Sequence, residues 1–455
     1  MKNKYLKWSL ITIIWLLLWQ VIAMAVSNTL TLPSPVDTVR ALFALLADGK
    51  FYIDAAATIG RCVAAILMSL AFGFLLSLAA YRSRAIRDFL ALPVALFKAV
   101  PVMAVAIYMI LLLTAGNVPI LVCFVMCFPI VYTNLLTGLD SMDKNLLEMA
   151  QVYNIRGGQL IKHVYMPMLY PHFKSAMSLV AGMSWKAIVT AEVLSIPKFS
   201  LGYELMNAKY YLNTDVLFAY VVVIIAISVL FEKLVKHLIN SMEPRTYDKS
   251  KIKAKSESSR ASNHNNAKYA VELDNISKSY DGKTILKDFN LKLERGETAA
   301  CMGASGSGKT TLLRIIAGLE TADSGRVEIN ANRISVLFQE DRLLPWLNVY
   351  DNLAIVNNDD AHIRELLDAV ELTSEMNKLP NELSGGMKYR LAMARCFAHD
   401  GDLLLIDEPF QGLDAETKQR IIDKLWKKKS KKKTIFLITH SEDDKKLANR
   451  TIYLQ

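Results

Sequence analysis

Residues 303–310 form the pattern that most clearly predicts chemistry in this sequence. They read Gly-Ala-Ser-Gly-Ser-Gly-Lys-Thr and fit G-x-x-x-x-G-K-[ST] without a mismatch, between an apolar run at 298–302 and a helical pattern at 311–319. In a strand–loop–helix arrangement, such glycines let backbone N–H groups converge on phosphate oxygens at a helix N-terminus. Lys309 would reach the β- and γ-phosphates, and the Thr310 hydroxyl would bind Mg²⁺. The pattern therefore predicts a nucleotide-binding site.

A second pattern ends in two acids. Residues 403–406 are an apolar run typical of a fully buried strand, and Asp407 and Glu408 follow directly. The carboxyl end of such a strand is where an open α/β sheet places its ligands. Asp407 would hold Mg²⁺ through water, and Glu408 would orient or polarise the water that attacks a phosphate. An N-capping acid after a strand is the alternative, but its pairing with a phosphate loop favours the catalytic interpretation.

Between these patterns lies Leu383-Ser384-Gly385-Gly386-Met387, which resembles the signature loop of ATP-binding-cassette (ABC) ATPases. Four further residues match that family in its order: Tyr280 resembles the aromatic that stacks on adenine, Gln339 the Q-loop glutamine, Asp414 the D-loop acid and His440 the switch histidine. The resemblance covers residues 268–455.

The resemblance implies a complete set of site residues. Those that contact ATP would be Tyr280, Gly303, Ala304, Ser305, Gly306, Ser307, Gly308, Lys309, Thr310, Thr311, Ser384, Gly385, Gly386 and Asp414. The catalytic groups would be Glu408, His440, Lys309 and Gln339, and the Mg²⁺ ligands Thr310, Gln339 and Asp407. In this family each ATP lies between the phosphate loop of one subunit and the signature loop of another. The resemblance therefore implies at least a homodimer, with ATP and Mg²⁺ as cofactors.

The chain departs from the family pattern in two places. The segment between Gly325 and Gln339 is short, and the D-loop reads Gln411-Gly412-Leu413-Asp414 instead of the commoner Ser-Ala-Leu-Asp. Neither change removes a catalytic group, so we expect an active ATPase.

The composition indicates two unlike parts. The chain has 455 residues, of which 53% are hydrophobic and 21% charged, and a formal net charge of +10; the mean hydropathy is +0.25. This average is too high for an ordinary soluble enzyme and too low for membrane spans alone, and it excludes disorder, collagen and a small disulfide scaffold. The five cysteines show no metal-ligand spacing, so we interpret them as small buried residues.

The division falls at a polar segment. Residues 243–267 are rich in Lys, Ser, Asn and Arg and have almost no apolar residue, which is typical of a flexible linker. We therefore predict a membrane permease domain at 1–242 and an ABC-type ATP-binding domain at 268–455. The fold class is an all-α polytopic membrane domain of about six helices fused to an α/β P-loop ATPase domain.

Six apolar runs are candidate membrane spans. They are Leu6–Val26, Ala55–Ala80, a stretch within Val100–Leu113 interrupted by Pro101, Val118–Leu139, a stretch within Phe173–Ile196, and Val216–Leu234. With the N-terminus inside, the basic clusters at 82–87 and 233–236, the loop 140–166 and the ATPase domain all face the cytoplasm. The first run could be a cleaved signal peptide, but its length favours a retained anchor.

The loop 148–167 resembles the cytoplasmic coupling loop of binding-protein-dependent importers, with Asn154 and Met149 in place of a glycine and an alanine. Leu32-Pro33-Ser34-Pro35, residues 191–194 and residues 343–346 resemble the nitrate/sulfonate/taurine group. An amphipathic segment at 143–165 is suited to dock into a groove of the ATPase and to transmit its closure.

Two ionisable residues lie inside the fifth apolar run. Lys186 and Glu192 are about 240° apart around a helix and do not share a face. One of them would line the translocation path; the alternative is an interhelical ion pair or a side chain that reaches the interface. The lysine-rich run 427–433 is expected to be a solvated loop, with anionic lipid as the alternative, and nucleic-acid binding lacks a reading motif.

Together these features predict ATP-driven import of a small solute, an organosulfonate, nitrate or similar oxyanion, across the cytoplasmic membrane of a prokaryote. A homodimer would receive the solute from a separate extracytoplasmic binding protein. The alternatives are an importer of thiamine-type precursors, an exporter, and a regulatory membrane ATPase that moves no solute.

Overall fold

The computed structural model describes residues 2–26, 31–243 and 267–454. Two compact units are present, one formed by the described residues of 2–142 and 168–243 and the other by 143–167 and 267–454. Residues 244–266 of the predicted linker lie outside the described residues.

The first unit is entirely helical. Its helices are α1 (Lys2–Val26), α2 (Pro35–Ala47), α3 (Gly49–Arg82), α4 (Arg84–Ala99), α5 (Val102–Leu112) and α6 (Val118–Asp140). The first unit continues with α9 (Met166–Ser195), α10 (Leu201–Tyr210) and α11 (Thr214–Ser241). Between α6 and α9, the segment that belongs to the second unit forms the short α7 (Lys144–Val152), α8 (Gly157–Leu160) and a π-helical turn (Ile161–Tyr165). This confirms the helical, apolar N-terminal half of the predicted fold class.

Among the described residues, four helical stretches are long and apolar enough to cross a membrane, namely Gly49–Arg82, Val118–Asp140, Gly157–Ser195 and Thr214–Ser241. The helix α1 contains a shorter apolar stretch, Leu10–Val26. The predicted third span differs: α5 has 11 residues, and it passes the same test only together with α4, to which it is bent by 105°. Pro101 causes this break, because a residue before proline is held in an extended conformation and Val100 has ψ 129°.

The core of the helical unit lies between α3, α6, α9 and α11. Small thiols allow close packing there, and Trp185 fills the space beside them, its indole N–H donating to the Ile224 carbonyl at 3.1 Å. All five cysteines of the chain are free and buried. This agrees with their interpretation as small core residues.

A buried charge pair ties three elements of the helical unit together. Glu192 on α9 is fully buried, and Arg61 Nη1 on α3 lies 2.6 Å from its Oε1. The hydroxyl of Thr58 donates to Oε2 at 3.0 Å, and the Gly202 N–H of α10 donates to the same oxygen at 3.3 Å. Glu192 therefore belongs to an interhelical ion pair, which is one of the alternatives that the sequence left open. Its carboxylate is not free to bind a solute.

The second unit contains two sheets. The antiparallel sheet has the order β2 (Lys283–Glu294), β1 (Tyr269–Tyr280), β4 (Ser324–Ile329). The parallel sheet has the order β5 (Ile334–Leu337), β6 (Leu403–Asp407), β7 (Thr434–Ile438), β3 (Thr298–Gly303), β8 (Arg450–Leu454). Every residue of β6 and β7 is buried, which explains their continuous apolar sequences.

The residues of this unit from 267 to 454 also form helices. They are α12 (Lys309–Ile316), α13 (Val349–Ala354), α14 (Asp360–Ala369), α15 (Gly385–Ala398), α16 (Ala415–Ile421), α17 (Lys427–Lys429) and α18 (Glu442–Lys445). Short 3₁₀ turns lie at Thr373–Glu375 and Pro380–Glu382, and a π-helical turn at Ile422–Trp426. In the lysine-rich run, residues 427–429 form the helix α17, so the predicted loop is limited to 430–433. Lys427, Lys429 and Lys433 pair with carboxylates at 2.6–2.7 Å. The α/β half of the predicted fold class is confirmed.

We expect Arg61→Met to destabilise the helical unit strongly, because it leaves the Glu192 carboxylate buried without its counter-ion, a change that costs about 3–5 kcal/mol. Replacing both partners, as Arg61→Met with Glu192→Met, should restore much of the loss. The measurement is the fraction of monodisperse chain that survives a heating series in detergent.

The matched control is Arg40→Met, which removes an arginine that is 80% exposed and 3.9 Å from Asp37. Surface pairs contribute about 0–1 kcal/mol, so this variant should survive heating like the wild type. Equal survival of Arg61→Met and Arg40→Met would contradict a stabilising role of the Arg61–Glu192 pair.

Candidate nucleotide site

The loop between β3 and α12 is shaped by its glycines. Gly306 and Gly308 have φ of +81° and +94°. A Cβ at Gly308 would lie 2.8 Å from Ile285 Cγ2, so no other residue fits there. The Lys309 ammonium donates to the carbonyls of Gly303 and Ala304 at 2.9 and 2.7 Å, which holds this buried side chain along the loop.

The ends of β6 and β7 bring the acids to this loop. Thr310 Oγ1 donates to Asp407 Oδ2 at 3.2 Å. Burial raises the pKa of Asp407 to about 6, and the nearby Glu408 carboxylate acts in the same direction, whereas the Thr310 hydrogen bond lowers it. Glu408 has the left-handed φ of +50°, its N–H donates to the Ile438 carbonyl at 3.0 Å, and its Oε1 lies 3.5 Å from His440 Nε2.

These groups line one cleft of about 340 Å³. Its lining residues are Tyr280, Ile285, Ser305, Gly306, Gly308, Lys309, Thr310, Thr311, Gln339, Asp407, Glu408, Ile438 and His440. The fold thus places the predicted adenine-stacking tyrosine, phosphate loop, Q-loop glutamine, both acids and the histidine around one space. Ser307 lies within the same loop, and its Oγ is buried without a hydrogen-bond partner among the described residues.

The signature and D-loop residues do not contribute to this lining. Ser384 is exposed and caps α15, its Oγ accepting from the Met387 N–H at 3.3 Å. Asp414 is exposed and caps α16, and the hydrogen bond from the Thr417 N–H lowers its pKa. Gly385 has open space where a side chain would begin. In one chain, Ser384, Gly385, Gly386 and Asp414 therefore lie outside the cleft formed by the other predicted residues.

Tyr389 was not found from the sequence. It lies on α15, is 7% exposed, and its hydroxyl is 2.9 Å from the Asp407 carbonyl oxygen and 2.6 Å from that of Glu408. A single aromatic residue in an amphipathic helix looks like any core residue, so no local signal separated it from its neighbours.

The segment 143–167 packs within the same unit as the cleft. The Glu148 carboxylate accepts from Arg314 Nη1 and Nη2 at 2.9 and 2.6 Å and from Arg342 Nη1 at 2.8 Å. These hydrogen bonds, first that from Arg314, lower the pKa of Glu148, so it is charged at neutral pH. Arg314 belongs to the last turn of α12, and Arg342 follows Gln339 by three residues.

Two further hydrogen bonds secure this segment. The buried Tyr153 hydroxyl donates to the Val336 carbonyl at 2.7 Å, and the Trp346 indole N–H donates to the His163 carbonyl at 2.8 Å. The segment predicted to dock on the ATPase is therefore held by the Val336 carbonyl and the Trp346 side chain, on either side of Gln339.

Comparison with known proteins matches both halves. Residues 286–411 match the family model described as ABC transporter. Residues 69–245 match the model described as binding-protein-dependent transport system inner membrane component.

Curated relatives match the second half. The taurine import ATP-binding protein TauB of Pseudomonas aeruginosa (strain UCBPP-PA14) is 41% identical over 180 residues, which are 36% of this chain and 68% of TauB. The aliphatic sulfonates import ATP-binding protein SsuB 1 of Paracoccus denitrificans (strain Pd 1222) is 41% identical over 193 residues, 41% of this chain and 79% of that protein.

Among solved structures, the dimeric post-hydrolysis state of the ATP-binding cassette MJ0796 bound to ADP and Pi is 31% identical, with a TM-score of 0.38, and is covered over 94% of its length by 41% of this chain. Both family matches and the extent of the curated relatives agree with the sequence resemblance. The chain belongs to the ABC transporter family, with an inner-membrane component and an ATP-hydrolysing cassette in one polypeptide.

Proposed function

We propose that two copies of this chain form an importer that takes up a small organosulfonate, nitrate or similar oxyanion and receives it from a separate extracytoplasmic binding protein. The observation that carries the proposal is the pairing, in one chain, of a match to a binding-protein-dependent membrane component with a cassette that is 41% identical to taurine and sulfonate import proteins. The composite ATP site of the family requires a second copy, which agrees with the exposure of Ser384 and Asp414 outside the cleft.

The cleft residues fit ATP and Mg²⁺. Thr310, Gln339 and Asp407 offer hydroxyl, amide and carboxylate oxygens, the hard ligands that Mg²⁺ prefers. The Ser307 hydroxyl, which has no hydrogen-bond partner in the described part of the chain, and the positive-φ glycines leave donors and space for phosphate oxygens. Bound Mg²⁺ would neutralise phosphate charge. Tyr280 would stack on adenine, and the Lys309 ammonium would bind the β- and γ-phosphates.

Hydrolysis then depends on groups of this chain. The Glu408 carboxylate orients the attacking water and accepts its proton as the water oxygen bonds to the γ-phosphorus and the bond to ADP breaks. His440, 3.5 Å from that carboxylate, would contact the γ-phosphate. Ser384, Gly385, Gly386 and Asp414 would act on the ATP bound to the other copy.

The position and charge of Lys186 favour an anionic solute. It is exposed on α9, on the same helical stripe as Leu179, Met183 and Thr190, and with Met183 and Thr190 it lines a groove of about 210 Å³ closed by Val102, Met126 and Ala187. Among the described residues it forms no ion pair, and Glu232 of α11 pairs with Lys236. An unpaired cation in a spanning helix is costly towards lipid, so we propose that this stripe faces the aqueous path and attracts the anion.

The proposed uptake is tested in native cells, which supply their own binding protein. Cells with the wild-type chain should accumulate labelled taurine, an alkanesulfonate or nitrate, and cells with Glu408→Gln should accumulate none of the three. Failure of the wild type to accumulate any of these anions would refute the substrate class.

We expect Glu408→Gln to lower ATP hydrolysis by purified chain in vesicles about 10²–10⁴-fold, the usual contribution of a positioned base. ATP binding should persist, because the amide keeps the size of the carboxylate. The measurements are phosphate release and binding of labelled ATP. As a control, Glu328→Gln removes a carboxylate on β4 that pairs with Arg326, and it should hydrolyse ATP like the wild type. Full hydrolysis by Glu408→Gln would disprove the assigned base.

We expect Glu148→Gln to uncouple transport. The neutral amide leaves Arg314 and Arg342 without their anion, so uptake in cells should fall about tenfold, as expected for loss of a charge-assisted contact, while ATP hydrolysis in vesicles stays within about twofold of the wild type. The control is Asn145→Ala, which removes one exposed hydrogen bond, to Glu340, from the same helix. Unchanged uptake in Glu148→Gln would contradict the coupling role.

We expect Lys186→Met to lower anion uptake about 10–100-fold, the factor for a hydrogen bond to a charged group worth about 1.5–3 kcal/mol. Lys186→Arg should retain uptake, and Lys98→Met, which removes a second exposed lysine from an apolar helix, should not affect it. Since the native thiols are buried, Lys186→Cys should also react with a membrane-impermeant sulfonated thiol reagent. A lipid-facing residue 186 would remain unlabelled.

A further inference from the structure

The hydroxyl of Tyr389 holds the main chain at the residue that carries the proposed base. Its single proton is shared between two successive carbonyl oxygens, of Asp407 at 2.9 Å and of Glu408 at 2.6 Å. The ring is buried, and so is the hydrogen bond to the Asp407 carbonyl, whereas the bond to the Glu408 carbonyl is partly buried. A hydroxyl placed in this way fixes the direction of both peptide groups at the end of β6.

Glu408 needs such a constraint. Its φ of +50° lies in the left-handed region, which is strained for a residue with a side chain and persists only where neighbouring contacts enforce it. The N–H of Glu408 is held by the Ile438 carbonyl at 3.0 Å. Tyr389 secures the carbonyl side of the same residue, and together the two contacts set the direction in which the Glu408 carboxylate leaves the backbone.

The helix that carries Tyr389 begins at the signature loop. Ser384 caps α15, and Tyr389 lies five residues further along the same helix, about 7 Å away along its axis. At the signature end, a Cβ on Gly386 would lie 3.7 Å from the Gly412 carbonyl of the loop that follows Glu408. The end of α15 proposed to meet the other copy's ATP is therefore joined through one rigid element to the backbone of this copy's Glu408.

We propose that Tyr389 is a positioning residue for Glu408, through which ATP held at the signature loop of one composite site orients the base of the other. The proposal rests on the proposed role of Glu408 and on the proposed sharing of ATP between two copies. It makes the two sites of the homodimer depend on each other through a hydrogen bond within each chain.

The test is ATP hydrolysis by the full chain in vesicles. Tyr389→Phe removes the hydroxyl and keeps the ring, so kcat should fall at least tenfold while the KM for ATP stays within twofold. Para-aminophenylalanine at position 389 restores a donor at the same place and should recover most of the rate. The matched control is Tyr350→Phe, which removes another buried tyrosine hydroxyl of this unit, one that donates to Asp360 at 2.6 Å, and which should keep the wild-type kcat.

The dependence between sites has its own readout. The Hill coefficient for ATP should fall towards one in Tyr389→Phe and stay at the wild-type value in Tyr350→Phe. An equal Hill coefficient in wild type and Tyr389→Phe would overturn the link between sites. A rise in KM at constant kcat, or an equal loss of kcat in Tyr350→Phe, would overturn the positioning role. A wrong assignment of Glu408 as the base would give a different result, because ATP hydrolysis would then survive Glu408→Gln.

Discussion

The contact of the Glu148 carboxylate with two arginines is the interaction that holds the segment 143–167 in the second unit. The carboxylate binds the guanidinium groups of Arg314 and Arg342, which come from two different elements, and it is 23% exposed. Charge-assisted hydrogen bonds with this two-pronged geometry are among the strongest that side chains form. Each of the three charges is partly withdrawn from water and would be costly without the others. The segment 143–167, the phosphate-loop helix and the residues after Gln339 are consequently held as one body.

The helix α12 connects this contact to the cleft. Lys309 and Thr310 form its first turn, at the cleft, and Arg314 lies in its last turn, where a cation also suits the negative end of the helix dipole. A helix of eight residues is short enough to move as a rigid element, so a shift of the phosphate loop would be transmitted to Glu148. Arg342 adds a second route, because it follows the Q-loop glutamine that lines the same cleft.

The sequence pattern predicts those parts of the site whose residues are neighbours in the chain, and the family resemblance adds Tyr280, Gln339 and His440. The phosphate loop and the two acids after β6 could be assigned to one edge of a parallel sheet, and the structure brings them together in one cleft. Contacts between distant residues could not be assigned: the partners of Glu148 lie 166 and 194 positions away, and Arg61 lies 131 positions from Glu192. Pro101 revealed that the third apolar run is interrupted, but the 105° bend depends on packing that no local pattern encodes.

The cleft of one chain also explains why the proposed assembly needs two. The phosphate loop, Gln339 and the two acids line the cleft, whereas Ser384 and Asp414 lie outside it, exposed at the N-termini of α15 and α16. Their caps are already satisfied within the chain by the N–H groups of Met387 and Thr417, so their exposure does not reflect missing local partners. A second copy that brings its signature loop to this cleft would engage the free end of α15, and the inner part of that helix already holds the backbone of Glu408. Closure of the dimer and alignment of the base would then be two consequences of one helix displacement.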